Sequence, residues 1–139
     1  MITAERFAQG MTVPEYLDQM RTNKERFVRF MSEAAIDDEH RAALQRLGPG
    51  LKILVITEDW CGDALYSFPA VARLVEEQPG VEMRIFLRDK NPDVMDQYLK
   101  RGMFRTIPVF VFLDERMNEL ARFMERQDVV NELRTLSNV

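Results

Sequence analysis

The 139-residue chain has one cysteine, and it lies in the tetrapeptide Trp60-Cys61-Gly62-Asp63, between an apolar run and a stretch of helical periodicity. A thiol at a helix start meets unpaired amide N–H groups and the positive end of the helix dipole, which favour the thiolate and hence nucleophilic chemistry. Gly62 lets the backbone turn and leaves room for a partner to reach the sulfur. Glu58, Asp59 and Asp63 oppose this, because carboxylates close to the sulfur favour the neutral thiol unless they point elsewhere. Two roles are open to Asp63, tuning the thiol or capping the helix. Cys61 is either a nucleophile able to form a mixed disulfide or a small, partly buried hydrophobe. Its position between Trp60 and Gly62 favours the nucleophile. Trp60 is expected to pack over the sulfur side and offer apolar contact area; plain core filling is the alternative.

Composition limits the rest. One cysteine cannot form a disulfide within the chain, which excludes a disulfide-framework scaffold and any two-cysteine chemistry completed in one molecule. With 46% hydrophobic and 30% charged residues, a single compact domain is expected, since a globule of this size buries roughly 70% of its unfolded surface. The 19 Lys+Arg against 23 Asp+Glu give a net charge of −4, and without a long basic tract nucleic acid is not an expected partner. The longest apolar runs, Ile53 to Ile56 and Ile107 to Leu113, fall far short of the roughly 20 residues that cross a bilayer. The N-terminus MITAERFAQG has no apolar export core. No membrane association is expected, and the expected location is the cytoplasm. His40 has no histidine or cysteine near it in sequence, so no metal site is expected.

The elements that must position Cys61 can be read from periodicity and punctuation. Leu47-Gly48-Pro49-Gly50 divides an N-terminal helical extension, residues 1–50, from a core, residues 51–139, within one domain. In the extension, Thr12-Val13-Pro14-Glu15 reads as a capping box. Val13, Leu17, Met20, Phe27, Phe30 and Met31 then recur at near-helical spacing, with a break allowed in the polar stretch Arg21 to Arg26. Asp37 can cap a helix to Leu47 that turns Ala42, Ala43 and Leu47 inward. In the core, Ile53-Leu54-Val55-Ile56 reads as a central strand covered on both faces. A helix from Asp63 to Gln78 and a strand from Val81 to Leu87 follow, forming a right-handed β-α-β unit. Asn91-Pro92 and Gly102 bracket a further helix. Strands at Val109 to Leu113 and Glu119 to Phe123, and a helix from Asp128 to Leu136, complete the order β-α-β-α-β-β-α.

Glu58-Asp59-Trp60-Cys61-Gly62-Asp63-Ala64 resembles the active-site turn of the thioredoxin superfamily, and within it a bacterial thioredoxin-like group. Pro69 matches the proline that kinks the active-site helix, and Asn91-Pro92 falls where the second core helix begins. Thr106-Ile107-Pro108 resembles the family's cis-proline segment ahead of a strand. The resemblance spans Lys52 to Leu136 and implies an α/β thioredoxin fold, a four-stranded mixed sheet flanked by helices. It also implies that the backbone of Ile107 faces the sulfur, free to pair with an extended substrate. An ordinary trans proline opening a strand is the alternative.

Three departures alter the implied chemistry. Ala64 replaces the second active-site cysteine, Val55 replaces the buried aspartate of the first strand, and Met124 stands where a glycine usually follows the last strand. The expected activity is therefore monothiol exchange: Cys61 forms a mixed disulfide that an external thiol resolves. The expected partners are a low-molecular-weight thiol or a thiol-containing protein, with no cofactor. Lys100, Arg101 and Arg105 either pair with a carboxylate of such a thiol or form a solvated helix end, the second being favoured. A non-redox module that binds a peptide near Trp60 and Ile107-Pro108 is the alternative function. The extension of residues 1–50 offers a surface for a homodimer.

Overall fold

The protein is described by a computed structural model covering residues 1–125 and 127–138; Val139, the last residue of the expected core, lies outside the described residues. Its centre is a sheet of β1 (Lys52–Thr57), β2 (Glu82–Leu87), β3 (Val109–Leu113) and β4 (Glu119–Met124), in the order β2-β1-β3-β4. β1 runs parallel to β2 and antiparallel to β3, and β3 runs antiparallel to β4. This is the four-stranded mixed sheet that the resemblance implies, built from the strands that the periodicity predicts. Ile53, Leu54, Val55 and Ile56 are all fully buried. Successive side chains on a strand point to opposite faces, so such a run requires cover on both.

One face packs against α2 (Val13–Gln19), α3 (Lys24–Glu33), α4 (Asp38–Leu47), α5 (Gly62–Glu76) and α7 (Val129–Ser137). Ile53, Val55, Ile85, Phe110 and Phe112 meet residues of these helices there. Phe68 of α5 lies at the middle of an aromatic group, 5.1 Å from Phe27, 5.5 Å from Tyr16 and 6.0 Å from Phe110 between ring centroids. The other face, with Leu54, Ile56, Val109 and Val111, is covered by α1 (Ala4–Phe7), α6 (Pro92–Met95) and the segment through Tyr98.

The extension is helical as expected, with the capping box at Thr12 and Glu15 formed reciprocally and Asp37 capping α4. The break in the polar stretch is real: α2 ends at Gln19 and α3 begins at Lys24 after Asn23, whose φ of 63° is left-handed. In α4 the buried residues are Ala43 and Leu44, whereas Ala42 and Leu47 are only half-buried. The segment also adds an isolated antiparallel bridge from Met11 to Ile85 at the sheet edge.

The helix expected between Asn91-Pro92 and Gly102 is much shorter, ending at Met95. Past Asp96 the backbone bonds tighten to a three-residue spacing, Gln97 N–H to Val94 and Tyr98 N–H to Met95, a common way for a helix to terminate. Arg101 and Gly102 are both left-handed, with φ of 53° and 69°, so Gly102 serves a turn rather than a helix end. Asn91 does not cap α6 with its side chain; it donates to the Leu87 carbonyl and accepts from Arg6.

Candidate functional site

β1 delivers the chain to the site. After Thr57 the chain makes one turn, closed by a hydrogen bond from the Cys61 amide to the Glu58 carbonyl at 3.2 Å, and α5 starts at Gly62. Cys61 is the N-cap residue, with extended backbone and no capping bond from its side chain. Cys61 is buried, 8% exposed, and belongs to the same core cluster as Ile107, Met95, Val94 and Ala64. The S–H group donates to the Ile107 carbonyl oxygen at 3.8 Å, across the cis Ile107–Pro108 peptide that opens β3. Sulfur and the Ile107 backbone thus face each other directly.

The neighbours of the sulfur have distinct positions. Trp60 is 51% exposed, so it is not core filling. Gly62 is exposed, with its φ outside the left-handed region, and a Cβ there would meet no atom within 4 Å. Its glycine is therefore not required by the backbone; it leaves open space beside the sulfur. Asp63 is the second residue of α5, where an acidic side chain suits the helix dipole, and its carbonyl accepts from Ser67 Oγ at 3.1 Å. Cys61, not Asp63, holds the N-cap position. Ala64 is buried one turn into the helix. Thr106 is half-buried immediately before Ile107.

Two of the three carboxylates near Cys61 are tied to other loops. Glu58 accepts from the Asp89 amide at 3.0 Å. Asp59 accepts from the amides of Arg21 and Thr22 at 2.8 and 3.2 Å. The Asp59 contacts fasten the α2–α3 junction to the cysteine turn, and Asn23 Nδ2 reinforces them by donating to the Asp59 carbonyl at 3.1 Å.

Several residues near the site carry no sequence signal. Arg88 lies 5.2 Å over the Trp60 ring and donates to the Arg105 carbonyl at 3.3 Å, bridging the cysteine turn and the segment that leads to Ile107. Tyr16, from the extension, is buried against Phe68. Burial pushes its phenol pKa up, the Asp59 and Glu58 carboxylates add to that, and a hydrogen bond with Thr57 pulls the other way. Nothing in the spacing of Tyr16 distinguishes it from any other apolar helix residue.

Lys100, Arg101 and Arg105 do not form the expected helix end, because α6 stops at Met95 and Arg101 is left-handed in the turn that follows. Lys100 pairs with Glu125, and Arg105 pairs with Asp96 through both carboxylate oxygens, at 2.9 and 3.1 Å. His40 lies far from the cysteine turn in sequence and contacts Asn131 Oδ1 at 3.0 Å across α4 and α7. Among the described residues no group of His, Cys, Asp and Glu has the arrangement of a metal site. No described helix is long and apolar enough to cross a membrane.

A mixed sheet ordered β2-β1-β3-β4, with a cysteine at the start of the helix after β1 and a proline entering β3, defines a thioredoxin-like protein. A family model described as thioredoxin matches residues 10–137, and the chain belongs to that family. The match takes in α2, α3 and α4 as well as the sheet. The structure is similar over 99% of its length to that of a protein of unknown function from Pseudomonas aeruginosa, covering 94% of that chain, with a TM-score of 0.76 and 22% identity. Thioredoxin from Trichomonas vaginalis has a TM-score of 0.52 and 23% identity, over 74% of this chain and 93% of its own. Fasciola hepatica thioredoxin has a TM-score of 0.50 and 24% identity, over 68% and 86%. At these identities the likeness is one of fold. No curated protein sequence matches the chain.

Proposed function

We propose that the protein is a monothiol oxidoreductase of a bacterial thioredoxin-like group, in which Cys61 exchanges with the disulfide of a partner. The observation that carries this reading is the Cys61 S–H facing the Ile107 carbonyl at 3.8 Å, with Ala64 one helical turn away instead of a second sulfur. Once Cys61 has lost its proton to solvent, the thiolate attacks one sulfur of a disulfide RS–SR′. A Cys61–S–S–R bond forms and R′S⁻ leaves. An external thiol, as its thiolate R″S⁻, then attacks the sulfur that bears R; an R″S–SR bond forms, the Cys61–S–S–R bond breaks, and Cys61 returns as thiolate.

The backbone of Ile107 is coupled to this step. While the thiol is protonated, it occupies the Ile107 carbonyl. Loss of the proton frees that carbonyl to accept an N–H from an extended partner, so the partner's main chain pairs where the sulfur becomes reactive. Thr106, Ile107 and Pro108 form this binding strip, and Trp60, Gly62, Asp63 and Ala64 form the turn around the nucleophile. The partner is a low-molecular-weight thiol or a thiol-containing protein, and the reaction needs no cofactor. Cytoplasmic placement follows from the same chemistry, because a free thiol and an external thiol reductant persist there.

The test is capture from cells under non-reducing conditions. A disulfide-linked adduct on Cys61, identified by mass spectrometry and released by dithiothreitol, supports the reading. Partner capture that survives both dithiothreitol and Cys61→Ser would replace it with the non-redox alternative. The exposed Trp60, Met103 and Phe104 favour that second reading, since they offer apolar surface to a bound peptide without requiring sulfur chemistry.

A further inference from the structure

A groove of about 690 Å³ runs along the seam between α3 and α5, on the side of Gly62 toward the extension. The two helices run side by side in the same direction. Asn23, before α3, bonds the Asp59 carbonyl before α5, and Arg73, late in α5, donates to the Met31 and Ser32 carbonyls late in α3. One end of the groove is therefore at Trp60 and Gly62, and the other at Ala34, Ala35 and Ala70.

The lining is polarised along this axis. Leu65, Pro69, Ala70, Ala34 and Ala35 form an apolar floor and far end, between walls from Phe30, Trp60 and Tyr66. The near end carries Arg26 and Asn23. Arg26 and Arg29 both lie against the Phe30 ring, 5.8 and 5.3 Å from its centroid. Among the described residues neither guanidinium makes an ion pair, and nor do Arg21 and Lys24 at the same end of the helix. The nearby carboxylates of Glu58 and Asp59 accept from backbone amides instead.

We infer that this groove binds an amphiphilic carboxylate, an acyl or similar apolar chain with one anionic end, its carboxylate on Arg26 and its chain lying toward Ala34 and Ala70. Charge complementarity sets the head, since a guanidinium stacked on an aromatic ring keeps N–H donors for a carboxylate. Length sets the tail. The eight-residue span from Gly62 to Ala70 rises about 12 Å at ~1.5 Å per residue, the reach of an extended chain of roughly eight to ten carbons. The site differs from the Ile107 strip, and its occupation requires no disulfide.

Trp60 is the only tryptophan and lines the groove, so its emission reports occupancy directly. The reduced protein is titrated with decanoate below its aggregation threshold, with decanol as the uncharged probe. The expected result is a saturable change with decanoate, weakened about fivefold or more in Arg26→Gln and retained in Arg26→Lys, with decanol binding more weakly. No saturable change, or equal binding of decanoate to the native protein and to Arg26→Gln, overturns the inference. Equal affinity for decanol and decanoate also overturns it.

Discussion

The Cys61 sulfur donates its proton to the carbonyl oxygen of Ile107, 3.8 Å away, across the gap between the start of α5 and the start of β3. Two segments separated by more than forty residues are thus held sulfur to backbone. Under the proposed exchange reaction, this contact gives a buried thiol at a helix start a route to its partner. The group that shields it is the same peptide that would receive a partner's main chain, so a partner replaces the shield rather than having to pass it.

Ala64 is the position at which the proposed monothiol mechanism lacks a second sulfur. It is the third residue of α5, three after the N-cap Cys61, and the first helical turn brings these two positions to the same end of the helix. Ala64→Cys should therefore place two sulfurs within disulfide geometry, for which Cα atoms lie roughly 4.4–6.8 Å apart. The oxidised variant should show no free thiol by alkylation and mass spectrometry, and the reduced variant two. Its mixed disulfides should fail to accumulate, because the new thiol resolves them internally. Persistent mixed disulfide in this variant would mean that the two positions do not face each other.

Gly62 separates stability from access. A methyl group at this helical position meets no atom within 4 Å, and replacing glycine by alanine at a compatible site stabilises by about 0.4–1 kcal/mol through the unfolded chain. Gly62→Ala should raise the denaturant midpoint while slowing mixed-disulfide formation with protein disulfides. A lowered midpoint would show that glycine is needed by the fold itself, and an unchanged rate would show that the open space beside the sulfur is not used.

Tyr16 predicts an alkaline limit to stability. Its folded-state pKa is raised above the ordinary 10.0, chiefly by burial. Above that value the unfolded chain loses the phenolic proton while the folded protein keeps it, so the unfolded state binds fewer protons and stability falls as pH rises. Below it both states are protonated and the contribution is flat. Tyr98 is shifted the same way, again by burial first, so Tyr16→Phe should reduce the loss between about pH 9 and about pH 11 without abolishing it. Denaturant unfolding at the two pH values measures this. Equal losses in the variant and the native protein would remove Tyr16 as a cause.

Much of the fold is legible where one local signal decides the outcome. The run Ile53 to Ile56 could be read as a central strand because only a two-sided core tolerates it, and Thr12, Glu15 and Asp37 announce helix starts through their own hydrogen bonds. Legibility fails where tertiary packing chooses. The segment after Asn91-Pro92 has helix punctuation at both ends, yet its bonds tighten after Asp96 and two left-handed residues turn it back. Ala4–Phe7 is too short for periodicity to show. At the site, the type and position of Cys61 stand out in the sequence alone. Its relation to Ile107 comes from a resemblance, since no residue chemistry links positions so far apart. Arg88 over Trp60 and Asp59 under the Arg21 and Thr22 amides were not legible at all. An arginine or aspartate in a polar loop reads as solvated until the fold gives it a partner.

The most direct measurement compares the rate at which reduced protein forms a Cys61 mixed disulfide with glutathione disulfide when folded and when unfolded in denaturant, followed by intact mass at one pH. A site built for exchange should react faster folded than unfolded, give a single adduct reversed by dithiothreitol, and give none in Cys61→Ser. Slower reaction in the folded state would contradict the account, because it would make Cys61 a buried thiol that the fold protects.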